Sequence, residues 1–280
     1  MKNRRQRKVA GLLFESLCVV SAGLATVALS LILYYIFRRG ISTIDFGFLT
    51  RLPAPVGVEG GGIGNALIGS GIMVGLGTLI AVPICLAAAI YLDQNPDSKI
   101  ATLARFASRV LAGVPSMVVG LFVFSQLVLR SGQYSALAGG VALAIVMVPV
   151  ITLSAEEMLK LVPNSQREAS IALGATRQQT VFRLILPGAA GGLVVGIMLA
   201  VALAAGQTAP VLLTALTSRF WLETLQQPTA SLPVLIYHYA TSPFADWQAQ
   251  AWGAALVLVA IILALNVTAQ LFLAITNRRT

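Results

Sequence analysis

Long apolar runs separated by short polar ones dominate this chain. Six runs, at 16–37, 65–91, 110–129, 135–155, 188–216 and 251–275, contain no Asp, Glu, Lys, Arg or His. A helix needs about 20 mostly apolar residues to cross the hydrocarbon of a bilayer, so the pattern predicts six transmembrane helices. The expected fold class is an all-α membrane protein. The connections are short or moderate, so one membrane domain accounts for the chain: a basic cytoplasmic N-terminus at 1–15, then a transmembrane domain at 16–280 with its core at about 64–275. No separate soluble domain fits.

Composition supports this reading. Of 280 residues, 57% are hydrophobic and 10% charged, against about 45–50% and about 25% in soluble domains. The formal charge of +9 raises nucleic acid as a partner, but the cations are scattered around the spans rather than gathered on one polar face. Anionic membrane lipids suit them better, and no nucleic-acid partner is expected. Fourteen of the 19 Lys and Arg residues fall on one side of the six-span arrangement, which by the positive-inside rule puts both termini in the cytoplasm. The start MKNRRQRK has the charge of a signal peptide, but the apolar run behind it exceeds the usual h-region of about 7–15 residues, so a retained helix is expected. Cys18 and Cys85 lie inside spans and imply no disulfide framework.

Between the spans there is little to suggest catalysis. The outer loop RLPAPVGVEGGGIGN has Leu67 where a third fingerprint glycine would stand, so no dinucleotide site is read there. The pairs Gly71/Gly75, Gly188/Gly192 and Gly192/Gly196 are expected to let helices pack closely. Pro83, Pro115, Pro149 and Pro210 mark either cavity linings or kinks. His238 lies among the aromatic residues of 219–252 and reads as an interfacial residue, since no second ligand stands at metal-binding spacing. No metal site is expected.

The stretch NSQREASIALGATRQQTVFRLILP, 164–187, departs from the apolar pattern. Ser165-x-x-Glu168 is a capping-box pattern, Gly174 can end a helix in the left-handed region, and Thr176 can cap a second helix running to Pro187. A first helix of about two turns is marginal alone in water, so either the bundle or another protein's groove must hold it. Glu168-Ala169-Ser170-x-x-x-Gly174, then nine residues, then Leu184-x-Leu186-Pro187, resembles the EAA loop of ABC-importer permeases. In that family the loop is a coupling helix that docks on an ATPase. Ser170 stands for the second alanine and Leu184 for an isoleucine. The resemblance implies the type I importer permease fold, with a cytoplasmic coupling-helix hairpin and Ser165, Glu168, Ala169, Gly174 and Ala175 as coupling residues.

GGIGNALIGSG, AGVPSMVVGLFVF, MLKLVPNSQREA and SLPVLIYHYATSPFADWQAQAW resemble the PstA-type permeases of bacterial phosphate importers, from about Gly60 onward. This implies an inner-membrane permease working with a PstC-like second permease, a PstB-like ATPase dimer and a PstS-like periplasmic solute-binding protein. The chain itself has no GxxxxGK[ST] loop, since a glycine precedes none of Lys2, Lys8, Lys99 and Lys160. It is read as a non-catalytic subunit that binds no cofactor, with ATP and Mg used by the partner ATPase. In the fifth span such permeases commonly carry an Arg and, four residues on, the Glu of GETAP. Here VALAAGQTAP places Leu203 and Gln207 there, and Leu153 stands where a fourth-span Arg is common. Ser116, Gln207 and Thr208 are the candidate solute-pathway groups, with helix-to-helix hydrogen bonding as their alternative role. Another oxyanion, a neutral solute, or an ion-coupled secondary transporter are the other functional readings. An intramembrane enzyme would need a carboxylate pair, a Ser-His pair or a metal site, which the spans lack.

Overall fold

The computed structural model describes residues 4–55, 57, 58 and 60–277. Lys2, Arg278 and Arg279, which counted toward the expected orientation, lie outside the described residues. Five helices are long and apolar enough to cross a membrane: α1 (Arg4–Gly40), α3 (Gly64–Gln94), α6 (Ala136–Lys160), α8 (Arg177–Ala205) and α11 (Ala245–Asn277). The apolar length next in line is divided between two helices, α4 (Lys99–Ala112) and α5 (Ser116–Ser131), bent by 103° at the break between them; counted together they bring the candidate spans to six. The short helices are α2 (Phe46–Thr50), α7 (Asn164–Ala172), α9 (Ala209–Thr214) and α10 (Leu232–Ala240). Among the described residues the sole extended pairing is an isolated bridge between Pro53 and Gly61.

Two expected spans are redrawn. The run 110–129 was expected to form one helix, but α4 ends at Ala112 and a new helix starts after Pro115. Proline has no N–H to give the preceding turn and disfavours helical backbone in the residue before it. The run 188–216 also divides: α8 starts at Arg177 and stops at Ala205, and Gly206–Thr208 separates it from α9. Pro210, at the first turn of α9, has no N–H for the Gly206 carbonyl, which favours a fresh helix start there.

Pro187, expected to end the hairpin's second helix, lies inside α8 instead. Val181–Ile185 forms a π-turn in which the Leu186 N–H reaches the Val181 carbonyl, five residues back. The wider turn accommodates the missing donor and the proline ring, so the helix continues into the membrane span.

The core lies where α3, α6 and α8 meet, with Met73, Ala81 and Cys85 against Leu143, Met147 and Ile151, and Ala200 and Ala204 closing the third side. Lipid is as apolar as these side chains, so close van der Waals packing must supply the attraction. Gly77 provides it directly: a Cβ there would sit 3.1 Å from the Gly140 carbonyl oxygen. Gly192 lies against Met158, and a Cβ on Gly196 would come 2.6 Å from the Ser154 hydroxyl. The expectation of tight packing fails at Gly71 and Gly75, where an added Cβ would meet nothing within 4 Å. Both face an open groove of about 530 Å³, whose lining includes Ser70, Thr78, Val201 and Ala205.

This contrast gives a stability test. A Cβ at Gly69 would collide with the Ala230 carbonyl, so Gly69→Ala should cost about 1–3 kcal/mol by overpacking. Gly71→Ala, in the same helix, should be neutral or stabilising by a few tenths of a kcal/mol. Thermal unfolding of the two variants in detergent measures the difference.

At the end of the bundle away from the hairpin, Tyr239 stacks on Trp247 with ring centroids 4.6 Å apart, and the Arg219 guanidinium lies 5.7 Å from the Trp247 ring. His238 is exposed beside Tyr237. Among the described residues no group of three or more His, Cys, Asp or Glu is placed to hold a metal. Helix α1 is exposed along its apolar length and meets the bundle near its end, where Tyr35 packs edge-on against Trp252.

Candidate functional site: the hairpin and its root

The hairpin consists of α7, the turn at Leu173–Ala175 and the first turns of α8. Helix α7 starts directly after Pro163, with no side-chain cap. The expected Ser165–Glu168 capping box is therefore absent, because Ser165 already lies inside the first turn. The box that forms is one helix later: the Thr176 N–H donates to the Gln179 side-chain oxygen at 2.9 Å, and the Gln179 N–H donates to the Thr176 hydroxyl at 3.2 Å. Both segments carry the same S/T-x-x-E/Q signature, but only the second helix, which has no proline at its N-cap, forms the box.

Gly174 turns the chain at φ 87°, in the left-handed region that favours glycine. Its N–H donates to the Ile171 carbonyl at 2.9 Å, and the Ala175 N–H to the Ser170 carbonyl at 3.2 Å. The Ser170 hydroxyl lies 3.0 Å from that of Thr180, so the residue that departs from the EAA pattern joins the two arms of the hairpin. Ser165, Glu168 and Ala169 are exposed and Ala175 is half-buried. Leu173, 89% exposed, and Ile171 present an apolar tip on a segment otherwise rich in polar groups.

One arginine fastens this hairpin to the bundle and a second ties α4 to the helix ends at its root, and local sequence reading missed both. Arg167 on α7 donates to both carboxylate oxygens of Asp93, at 2.7 and 3.0 Å, and also to the carbonyls of Leu159 and Val162 at the end of α6. Arg105 on α4 donates to Glu156 at 2.7 Å and to the carbonyls of Leu92 and Pro96 at the end of α3. Each guanidinium satisfies orphan carbonyls at one helix end and pairs with an acid on the other helix. Lys160 adds a 2.6 Å contact to Glu156. The Asp93 and Glu156 side chains are almost fully buried by these contacts. The partners are 74 and 51 residues apart, so no local motif announces them.

The candidate pathway groups fall on adjoining elements. Ser116 opens α5, and Gln207 and Thr208 form the break before α9. These elements touch where a Cβ on Gly120 would lie 2.7 Å from Pro210 Cα. Gln207 is two residues beyond Ala205, which lines the open groove. Leu203 is exposed on α8.

Residues 81–280 match the family described as binding-protein-dependent transport system inner membrane component. The phosphate transport system permease protein PstA of Yersinia pestis is 39% identical over 244 residues, 87% of this chain and 83% of that protein. That of Haemophilus influenzae is 39% identical over 268 residues, 95% of this chain and 94% of the relative. Among solved structures, an inward-facing MetNI methionine ABC transporter aligns with a TM-score of 0.63 at 19% identity, over 76% of this chain and 97% of that one. An amino acid ABC transporter aligns with a TM-score of 0.52 at 17% identity, over 77% and 92%. Likeness at these identities establishes the shared fold.

Proposed function

The chain belongs to the family of binding-protein-dependent transport inner membrane components, and we propose that it works as a permease subunit of an ATP-driven importer for inorganic phosphate. The observation that carries this reading is its resemblance, along nearly the whole chain, to phosphate transport permeases. In the complete machine it contributes half of the translocation pathway, beside a second PstC-like permease, with a PstB-like ATPase dimer below and a PstS-like solute-binding protein outside. ATP and Mg belong to the ATPase. The excess of cations at the hairpin side supports placing that end and both termini in the cytoplasm.

The hairpin is the joint with the motor. Its exposed Ile171 and Leu173 suit insertion into an apolar groove of the ATPase, with Glu168 and Ala169 beside them. Ser165, Gly174 and Ala175 shape the helix and turn that present this tip. A movement of the ATPase is passed through α7 and Arg167 to α6 and α3, whose shift opens the pathway alternately to each side. Gln207, Thr208 and Ser116 supply uncharged hydrogen-bonding groups for an oxyanion, with formal charge left to the partner permease.

The solute is tested by reconstituting the complete complex and measuring ATP-dependent phosphate uptake, with sulfate, molybdate and phosphonate as competitors. Competition confined to phosphate is expected. Preferential competition by another anion would reassign the solute while keeping the permease class, a reading that Leu203 and Gln207 motivate. Gln207→Leu should reduce uptake severalfold with assembly intact, and unchanged uptake kinetics would remove Gln207 from the pathway.

A further inference from the structure

Helix α4 presents an apolar stripe to the outside. Ile100, Leu103, Phe106 and Val110 are each more than half exposed, and their spacings of three and four set them along one side of the helix. The opposite side is anchored. Ala101 and Ser108 are buried, and Arg105 is held by Glu156 and by the carbonyls of Leu92 and Pro96. The helix contains no Asp or Glu, and Lys99 and Arg109 stand near its two ends. Its axis lies 103° from that of α5, so it runs across the direction of the span it precedes. Beyond the bend the exposed apolar surface resumes at Met117, Val118, Leu121 and Phe122 of α5.

We propose that α4 is an in-plane interfacial helix that seats Ile100, Leu103, Phe106 and Val110 among the lipids of one leaflet, with Lys99 and Arg109 on anionic headgroups. A strongly two-faced helix of 14 residues, too short to cross the bilayer by itself, is the kind of segment that lies in the headgroup–acyl boundary. The bend supplies its orientation, and its unopposed cations match a surface bearing phosphatidylglycerol or other anionic lipid. Continuity with the lipid-facing side of α5 extends the same apolar surface from the boundary into the hydrocarbon. The assignment of this leaflet as cytoplasmic rests on the orientation proposed above; the contact with lipid does not.

The test places nitroxide labels on single cysteines at Thr102, Leu103, Phe106 and Val110 in a Cys18→Ala/Cys85→Ala background of the full chain. The chain is assembled with its partner subunits in vesicles of phosphatidylethanolamine and phosphatidylglycerol. Labels at 103, 106 and 110 should be about threefold more accessible to oxygen than to a water-soluble nickel chelate, at depths of about 5–10 Å, and the label at 102 should show the reverse. Chelate access at 103, 106 and 110 equal to that at 102 would overturn the proposal in favour of a water-exposed face. Closure of those sites to both reagents would overturn it in favour of a protein-covered face. In vesicles of phosphatidylcholine alone, or with Lys99→Gln and Arg109→Gln combined, the label at 106 should lie measurably shallower. An unchanged depth would overturn the headgroup contact. Label depth is independent of transported solute and ATPase coupling, so this outcome and a failure of the functional reading are separable.

Discussion

Arg167→Ala is expected to abolish coupling between ATP hydrolysis and solute movement in the assembled transporter. Arg167 gives four hydrogen bonds, two to the carboxylate of Asp93 and two to carbonyls at the end of α6. Its removal leaves the nearly fully buried Asp93 carboxylate without its cation, though still hydrogen-bonded by the Gln94 amide, and breaking a buried pair from one side costs about 3–5 kcal/mol. Part of that loss is structural, so the single variant does not isolate the mechanical role. The double variant Asp93→Ala/Arg167→Ala removes both charges and should recover much of the stability, with a coupling energy of about 1–3 kcal/mol in the double-mutant cycle. Solute-stimulated ATP hydrolysis should nevertheless stay at least tenfold below wild type, because α7 no longer holds α3. Normal stimulation in a stable double variant would show that the pair braces the fold without carrying the stroke.

The second large effect is expected at Gly174. An added Cβ there meets nothing within 4 Å, so a clash is not the issue. The obstacle is the backbone at φ 87°, which costs an L-residue about 1–2 kcal/mol and is least tolerable for a β-branched one. Gly174→Val should therefore open the turn, displace the Ile171–Leu173 tip and lower solute-dependent ATP hydrolysis by tenfold or more. Gly174→Asn should retain most activity, since asparagine enters the left-handed region more readily. ATPase assays of both variants in reconstituted complexes, with subunit assembly checked by co-purification, provide the measurement. Equal activity of the valine and asparagine variants would dissociate the turn geometry from coupling.

Much of the architecture is legible along the chain because each span is locally encoded. The run at 135–155 falls on α6 with Ser135 as its N-cap, and the run at 65–91 lies within α3, since burial in lipid requires only length and apolarity. The boundaries that went astray involve proline. Pro115 and Pro210 start new helices where continuous spans were expected, whereas Pro187 is absorbed by a π-turn. A proline shows that a hydrogen bond is missing; its surroundings determine whether the helix breaks or widens. The glycines divide in the same way, for Gly192 packs on Met158 while Gly71 and Gly75 face open space.

The apolar periods, the turn glycine and the EAA-like spacing were enough, from the sequence alone, to specify a multi-span permease with a hairpin between two of its spans. Only the tertiary structure decided how that hairpin is held. Its first helix starts directly after Pro163 without the box expected at Ser165, while Thr176 caps the second as expected, and the ties from Arg167 to Asp93 in the hairpin and from Arg105 to Glu156 at its root join residues far apart in the chain. Hydrophobic spans and turns arise from interactions between near neighbours or with the solvent. A buried ion pair needs two distant helix ends brought within about 3 Å in water-poor surroundings, and the packing of α3 against α6 is what brings them there.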